Sequence, residues 1–268
     1  MKEFRTRTYE IFSPKIREKE GVRFALLADL HGLEFGPDNC RLEAAIRRSN
    51  PDVILVAGDM IVRIDKRTLA AAKRFLLTLA RDYPIYYALG NHEAKMIREG
   101  TYLREYEAYE KSLRDGGVIF LRNERAVRTI GQDRYVFHGL ELPLEYYHKP
   151  NSPALSIRVM EQLIGKKNPS AVNILLAHNP KYGNTYFSWG ADLTVSGHYH
   201  GGILRISEHH GLTCPQFLLF PPYCCGDFHK GNCHMIVSAG LGEHTIPIRI
   251  HNPRELLLIH MKPARDGK

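Results

Sequence analysis

An α/β fold is predicted by three features of this 268-residue sequence. Short β-rich apolar runs alternate with stretches of helical period through the first half. Further strand-like runs crowd the second half. Five of these runs end in Asp, His or Asn, most of them beside glycine, the polar groups that open α/β sheets carry at their carboxyl ends.

The elements follow in order. Val22 to Ala28 (VRFALLA) reads as a buried strand, a short apolar run bounded by turn residues. Leu42, Ala45 and Ile46 then fall on one helical face. Val53 to Val56 is a second strand, introduced by Pro51, and Leu69, Ala72, Leu76 and Leu79 share the face of a helix. Ile85 to Ala88 is a third strand. Tyr102, Tyr106, Tyr109 and Leu113 mark a further helix, packed into the core and ended by Gly116-Gly117. Strands are then expected at Val118 to Leu121, Tyr135 to Leu140, Val172 to Ala177, Leu193 to Ser196, Met235 to Ser238 and Leu256 to Ile259. One helix interrupts them around Ile157 to Ile164. With no internal repeat and no linker, residues 1–268 are expected to form one α/β domain with more than one sheet.

Composition narrows the functional classes. A hydrophobic share of 44% can bury a full core, and 25% charged residues is an ordinary globular value, which excludes a disordered chain. No run approaches the ~18 apolar residues of a membrane span. The opening MKEFRTRTYE has no apolar segment of a signal peptide, so the cytosol is the expected compartment. An excess of 37 Lys and Arg over 29 Asp and Glu, net +8, suits phosphorylated substrates or an anionic membrane surface. Nucleic acid is not the expected partner, because no binding signature accompanies basic pairs such as Lys73-Arg74 and Lys166-Lys167. Five cysteines are an odd number, which argues against a disulfide framework. The segment Cys224 to His234 is dense in soft ligands. It holds no C-x₂-C pair, so idle thiols are expected there rather than a zinc site.

The chemistry gathers where strands end. The first runs into Asp29-Leu30-His31, the second into Gly58-Asp59 and the third into Gly90-Asn91-His92-Glu93. Val172 to Ala177 runs into His178-Asn179, and Leu193 to Ser196 into Gly197-His198-Tyr199-His200-Gly201-Gly202. Alone, Asp-x-His or Gly-Asp at a strand end is ordinarily a turn. The ordered combination carries the signal. It is a mixed oxygen and nitrogen donor set without thiolate, which suits Mn, Fe, Zn, Co or Ni better than Ca or Mg. Asp29 and His31, like His198 and His200, share a face if the strand continues through them. A carboxylate such as Asp59 can bridge two cations, and two cations can clamp a phosphoryl group.

These motifs (DLH, GD, GNHE, an isolated His and GHYH, in that order) resemble those of the calcineurin-like metallophosphoesterases. The stretches FSPKI (12–16), PDVILVAGDM (51–60), SGHYHGG (196–202) and SAGLGEHTIPIRIHNPRELLLI (238–259) are similar to one branch of small bacterial members. That branch is related to UDP-2,3-diacylglucosamine pyrophosphatases and to membrane-associated phosphodiesterases. The resemblance implies a four-layer α/β/β/α sandwich of two mixed sheets. It implies Asp29, His31, Asp59 and His200 as ligands of one metal, and Asp59, Asn91, His178 and His198 as ligands of a second, with Asp59 bridging. His92 resembles the catalytic histidine, which is not a ligand. Two divalent transition-metal ions are the implied cofactors, manganese first among them. Two positions depart from the pattern. Tyr199 is expected to make the rim narrower or aromatic, and Ile203 stands where a polar residue is common.

The expected activity is hydrolysis of a phosphodiester or pyrophosphate bond in a phosphorylated small molecule or lipid-like substrate. A phosphomonoesterase or nuclease with the same metals is the first alternative, and an inactive binding scaffold the second. Residues 217–223 (FLLFPPY) follow the metal loop. Their prolines are poor material for a regular strand, so part of the run is expected at the cleft rim. There it would hold an acyl chain or touch the inner membrane surface peripherally. The alternative is that Phe217 to Phe220 form a buried strand and only Pro221 to Tyr223 turn outwards.

Overall fold

The computed structural model describes residues 2–100, 102–148, 151–213, 219–243 and 248–264. The first half runs β1 (Arg5–Ser13), β2 (Val22–Leu27), α1 (Cys40–Ser49), β3 (Val53–Ala57), α2 (Arg67–Ala80), β4 (Ile85–Ala88), α3 (Asn91–Glu99), α4 (Leu103–Asp115) and β5 (Ile119–Phe120). The second runs β6 (Arg125–Ile130), β7 (Asp133–Leu140), α5 (Ile157–Ile164), β8 (Val172–Ala177), α6 (Gly183–Trp189), β9 (Leu193–Ser196), β10 (Gly226–Lys230), β11 (Cys233–Val237) and β12 (Glu255–Pro263).

Two mixed six-stranded sheets result, ordered β1-β12-β2-β3-β4-β5 and β10-β11-β9-β8-β7-β6. Strands β2 to β5 are mutually parallel, as are β7, β8, β9 and β11. The period of two along each strand decides what lies on either face. On β2, Phe24 and Leu26 point into a core between the sheets, where they meet Leu55, Tyr86, Phe137, Ile174 and Val195. Ala25 and Leu27 point the other way, into a core closed by Leu42 and Ile46 of α1, Phe75 and Leu76 of α2, and Tyr106 and Leu113 of α4. The second sheet turns Leu175 and Val237 outward against Met160 of α5 and Tyr186 and Trp189 of α6. Each large side chain so buried contributes about 1.5–3 kcal/mol. The layers are therefore α/β/β/α, as the resemblance implies.

Strands β1, β6 and β10 and helices α3 and α6 lie outside the elements read from the sequence. The three strands are sheet edges with one mixed or exposed face, so their apolar signal is diluted. Helix α3 matters most, because Asn91 and His92 are its first two residues rather than part of an extended segment.

Candidate metal centre

The carboxyl ends of β2, β3 and β4 in one sheet meet those of β8 and β9 in the other. Backbone bonds extend the β2–β3 pairing past the strands: Asp29 N–H donates to the Gly58 carbonyl, and His31 N–H to that of Asp59. The sheets are tied together at the site itself. The His198 N–H donates to both carboxylate oxygens of Asp29, each at 3.0 Å.

Asp29, His31, Asp59, His198 and His200 all have positive φ, between 49° and 67°. This left-handed region is uncommon for residues other than glycine and marks local strain. The expectation that Asp29 and His31 share a face because a strand continues through them is thus corrected. Strand β2 ends at Leu27, and the loop's own left-handed turns aim both side chains. The same correction holds for His198 and His200, which join different groups of donors.

Three groups of candidate donor atoms each lie within 4.8 Å of one another: Asp29–His31–His200, Asp59–His178–His198, and His31–Asp59–His92. Asp59 belongs to two of them. His31 Nε2 and His200 Nε2 are 3.2 Å apart, and His200 Nε2 is 3.5 Å from Asp29 Oδ1. His178 Nε2 is 3.1 Å from Asp59 Oδ2 and 3.9 Å from Asp29 Oδ1, so it stands between the two groups. Asn91 Oδ1 is buried with no hydrogen-bond partner among the described residues. Six of the seven side chains named as ligands from the sequence therefore sit on loops that converge here, and the seventh, Asn91, opens helix α3 next to His92.

The surroundings favour cations. His178 Nδ1 lies 2.6 Å from the Ala57 carbonyl, to which Nδ1–H donates, so the lone pair of Nε2 faces the carboxylates. Burial opposes a charge on His178, but the Asp59 carboxylate, and then Asp29, hold its pKa up to about 9; a proton and a cation compete for this nitrogen. Burial pushes His31 down to about 3, which keeps it neutral as a ligand must be. Burial drives Asp29 up to about 7, against the pull of His178. Asp59 is also buried, yet the neighbouring His178 and His92 hold it well below the usual range. Buried carboxylates and imidazole nitrogens at this density fit one or two divalent cations.

His92 lies on the rim of this cluster. Its backbone N–H donates to Asp59 Oδ1 at 2.8 Å, its Nδ1 accepts the Arg63 N–H at 3.2 Å, and its ring stands edge-on to His31. Burial lowers its pKa.

Three contributors were not assigned from the sequence. Glu93 is fully buried and accepts from the N–H groups of Asp59, Met60 and Gly90 and from the Tyr87 hydroxyl. It closes the GNHE motif, and its position in the first turn of a helix that begins at Asn91 was the available signal. Arg249 places Nη2 3.3 Å from His200 Nδ1 and donates to the Ala239 and Gly242 carbonyls. Tyr147, at the end of a 3-10 helix after β7, turns its ring edge toward His198. Neither had a local signal.

Tyr199 does not narrow the rim: it is fully buried, in a turn whose backbone bonds run from Tyr199 N–H to the Gly197 carbonyl and from Gly202 N–H to the Tyr199 carbonyl. In the run after the metal loop, Leu219 and Phe220 are exposed and Pro221 is buried, so the alternative of a buried strand through Phe220 does not hold. Phe217 and Leu218 lie outside the described residues. Cys224 and Cys225 are buried against Ala239.

Residues 22–202 match the model of the calcineurin-like phosphoesterases. A transmembrane protein with metallophosphoesterase domain from Danio rerio is 29% identical over 257 residues, covering 91% of this chain and 54% of that protein. Phosphodiesterase YaeI of Escherichia coli K12 is 26% identical over 186 residues, 69% of this chain and 62% of YaeI. The chain spans about half the length of the first two curated relatives it matches, 54% and 48%. Among solved structures, the sulfate thiohydrolase SoxB of Thermus thermophilus superposes with a TM-score of 0.51 at 13% identity, over 84% of this chain and 52% of SoxB. That likeness is one of fold.

Proposed function

We propose that this chain, which belongs to the calcineurin-like phosphoesterase family, hydrolyses a phosphodiester or pyrophosphate bond, residues 1–268 acting as one unit. The observation that carries the reading is the pair of donor groups, Asp29–His31–His200 and Asp59–His178–His198, with His178 Nε2 between their carboxylates. Asp29, His31, Asp59 and His200 would hold one cation, and Asp59, Asn91, His178 and His198 the other. Manganese comes first among the Mn, Fe, Zn, Co and Ni that this donor set suits. When bound, such a pair supplies an activated water at neutral pH and neutralises charge on the phosphoryl oxygens.

The chain's own residues do the rest. The Ala57 carbonyl fixes the His178 tautomer, and Glu93 fixes the backbone of Asp59. His92 faces the substrate. Because its Nδ1 accepts the Arg63 N–H, the hydrogen of the neutral ring is on Nε2. From there it donates to the leaving oxygen as charge develops.

The exposed apolar residues favour a substrate at a lipid surface. Ile64 directly follows Arg63, whose N–H reaches His92. Ile206, Leu219, Phe220, Ile248 and Ile250 are exposed on the loops that follow the GHYH turn and precede β12. With the basic excess, these loops suit peripheral contact with an anionic membrane. No helix among the described residues is long and apolar enough to cross one. The four cysteines among the described residues form no disulfide with one another, which suits a reducing, cytoplasmic compartment.

The test is a panel of diesters, monoesters and nucleotide-sugar pyrophosphates assayed with Mn, Fe, Zn, Co, Ni and Mg, with elemental analysis of the purified chain. Close to two transition-metal ions per chain and a preference for diesters or pyrophosphates support the reading. Asp59→Asn should empty both sites, and full activity in that variant would sink the bridging role. Sedimentation with anionic liposomes at low and high salt tests the lipid arm, which fails if no binding appears at low salt.

A further inference from the structure

Strand β7 lies beside β8 in the second sheet, parallel to it, yet among the described residues its carboxyl end supplies no member of the three donor groups. It supplies an aromatic instead. The loop after β7 ends in the 3-10 helix Leu144–Tyr147, which packs against α3, the helix that begins with Asn91 and His92. The backbone here is pinned to the metal loop. The Tyr146 carbonyl accepts from Asn179 Nδ2 at 3.3 Å and from the Tyr182 hydroxyl at 2.8 Å, and Asn179 directly follows His178. Tyr147 is 8% exposed. Its ring stands edge-on to His198 at 5.3 Å between centroids and is tilted against His178 at 6.3 Å. It leans on the Asp59–His178–His198 group, whereas His92 leans on His31 of the other.

We propose that Tyr147 is a substrate-binding residue of this site, its phenol donating a hydrogen bond to a non-bridging oxygen of the phosphoryl group held over Asp59, His178 and His198. The inference rests on the phosphoester reading above. Two features carry it. A tyrosine hydroxyl is a neutral donor at ordinary pH, suited to an anionic oxygen. The ring is locked by the two histidines and the backbone by Asn179 and Tyr182, so the donor is held in place before substrate arrives.

The experiment compares wild type with Tyr147→Phe, which keeps the ring and removes only the hydroxyl. Both are loaded with Mn and assayed on bis(4-nitrophenyl) phosphate, with inorganic phosphate as competitive inhibitor. The expected result is a fall in kcat/KM of about 10- to 100-fold, the range for a hydrogen bond to a charged group. Phosphate inhibition should weaken by about 10-fold, with metal stoichiometry and Tm unchanged. Unchanged kcat/KM and phosphate inhibition overturn the proposal. So does loss of metal, which would make Tyr147 a prop for the histidines alone. If the metal-loaded wild type hydrolyses no phosphoester, the preceding reading fails instead. Calorimetric titration of both proteins with inorganic phosphate then still decides whether the hydroxyl binds the anion.

Discussion

Gly90 and Asp59 pack so closely that no side chain fits between them. A Cβ on Gly90 would come 2.2 Å from Asp59 Oδ1 and 2.5 Å from Asp59 N. Gly90 has φ −93°, a value any residue adopts, so the requirement is for space and not for backbone freedom. Gly90→Ala should therefore displace the Asp59 carboxylate or the strand end beneath it. The expected outcome is a loss of bound metal and at least 100-fold in turnover, with a stability cost of about 1–3 kcal/mol from overpacking. Elemental analysis and thermal unfolding check it, and normal metal content in a folded variant would show that the loop yields.

Glu93 is the anchor of that same loop. Its two oxygens accept from Asp59 N, Gly90 N and Met60 N, and from the Tyr87 hydroxyl at 2.7 Å. Burial raises its pKa to about 7, with Asp59 adding to the rise and the Tyr87 hydroxyl opposing it. Glu93→Gln replaces one acceptor oxygen with an NH₂ group that faces backbone donors. The expected cost is about 2–4 kcal/mol, the range for leaving buried polar groups unsatisfied or mismatched. Denaturant unfolding measures it. A cost below 0.5 kcal/mol would mean that the N–H groups find other partners.

What could be read from the sequence was what is local. The donors at the ends of β2, β3, β4, β8 and β9 stand in short motifs beside apolar runs, so their convergence follows from parallel strands alone. What was missed depends on partners distant in sequence. Edge strand β1 (RTRTYEIFS) pairs with β12 at the other end of the chain, and only its later residues are buried. The left-handed turns at Asp29 and His31 follow from backbone bonds to Gly58 and Asp59. Arg249 reaches His200 across 49 positions, and nothing in its neighbours announces it.

His138 is a buried histidine away from the centre. Its Nε2 lies 3.3 Å from Asn173 Oδ1, and its ring is edge-on to Trp189. Burial pushes its pKa down to about 4, opposed by the Asn173 hydrogen bond and assisted by Arg125. The sign follows. Above its ordinary value of about 6.5 the ring is neutral in both states and costs nothing. As pH falls from there toward about 4, the unfolded chain takes up a proton that the folded one refuses, so stability is lost. The loss should be on the order of 2 kcal/mol. His138→Phe should flatten this slope, since Asn173 Oδ1 still accepts from Asn168 N–H at 2.9 Å. Denaturant midpoints at pH 7, 6, 5 and 4 for both proteins decide it, and parallel curves would assign the acid loss to other groups.

His92 shares no ligand-like pair of its own beyond His31 and Asp59, and its N–H already holds Asp59 Oδ1. The side chain can therefore be removed with the backbone bond intact. If the ring's Nε2–H acts on the leaving oxygen, the effect of His92→Ala must depend on how much charge that oxygen develops. A poor alcohol leaving group should lose about 10²–10³-fold, the usual worth of one pre-organised donor to a developing oxyanion. A nitrophenolate, stable as an anion, should lose much less. Metal content should be unchanged. Rates for a series of diesters of graded leaving-group pKa give the result directly, as a steeper dependence in the variant than in wild type. Equal losses along the series would remove His92 from the leaving-group side. Loss of one metal would instead make it a ligand, in keeping with its place beside His31 and Asp59 in the third donor group.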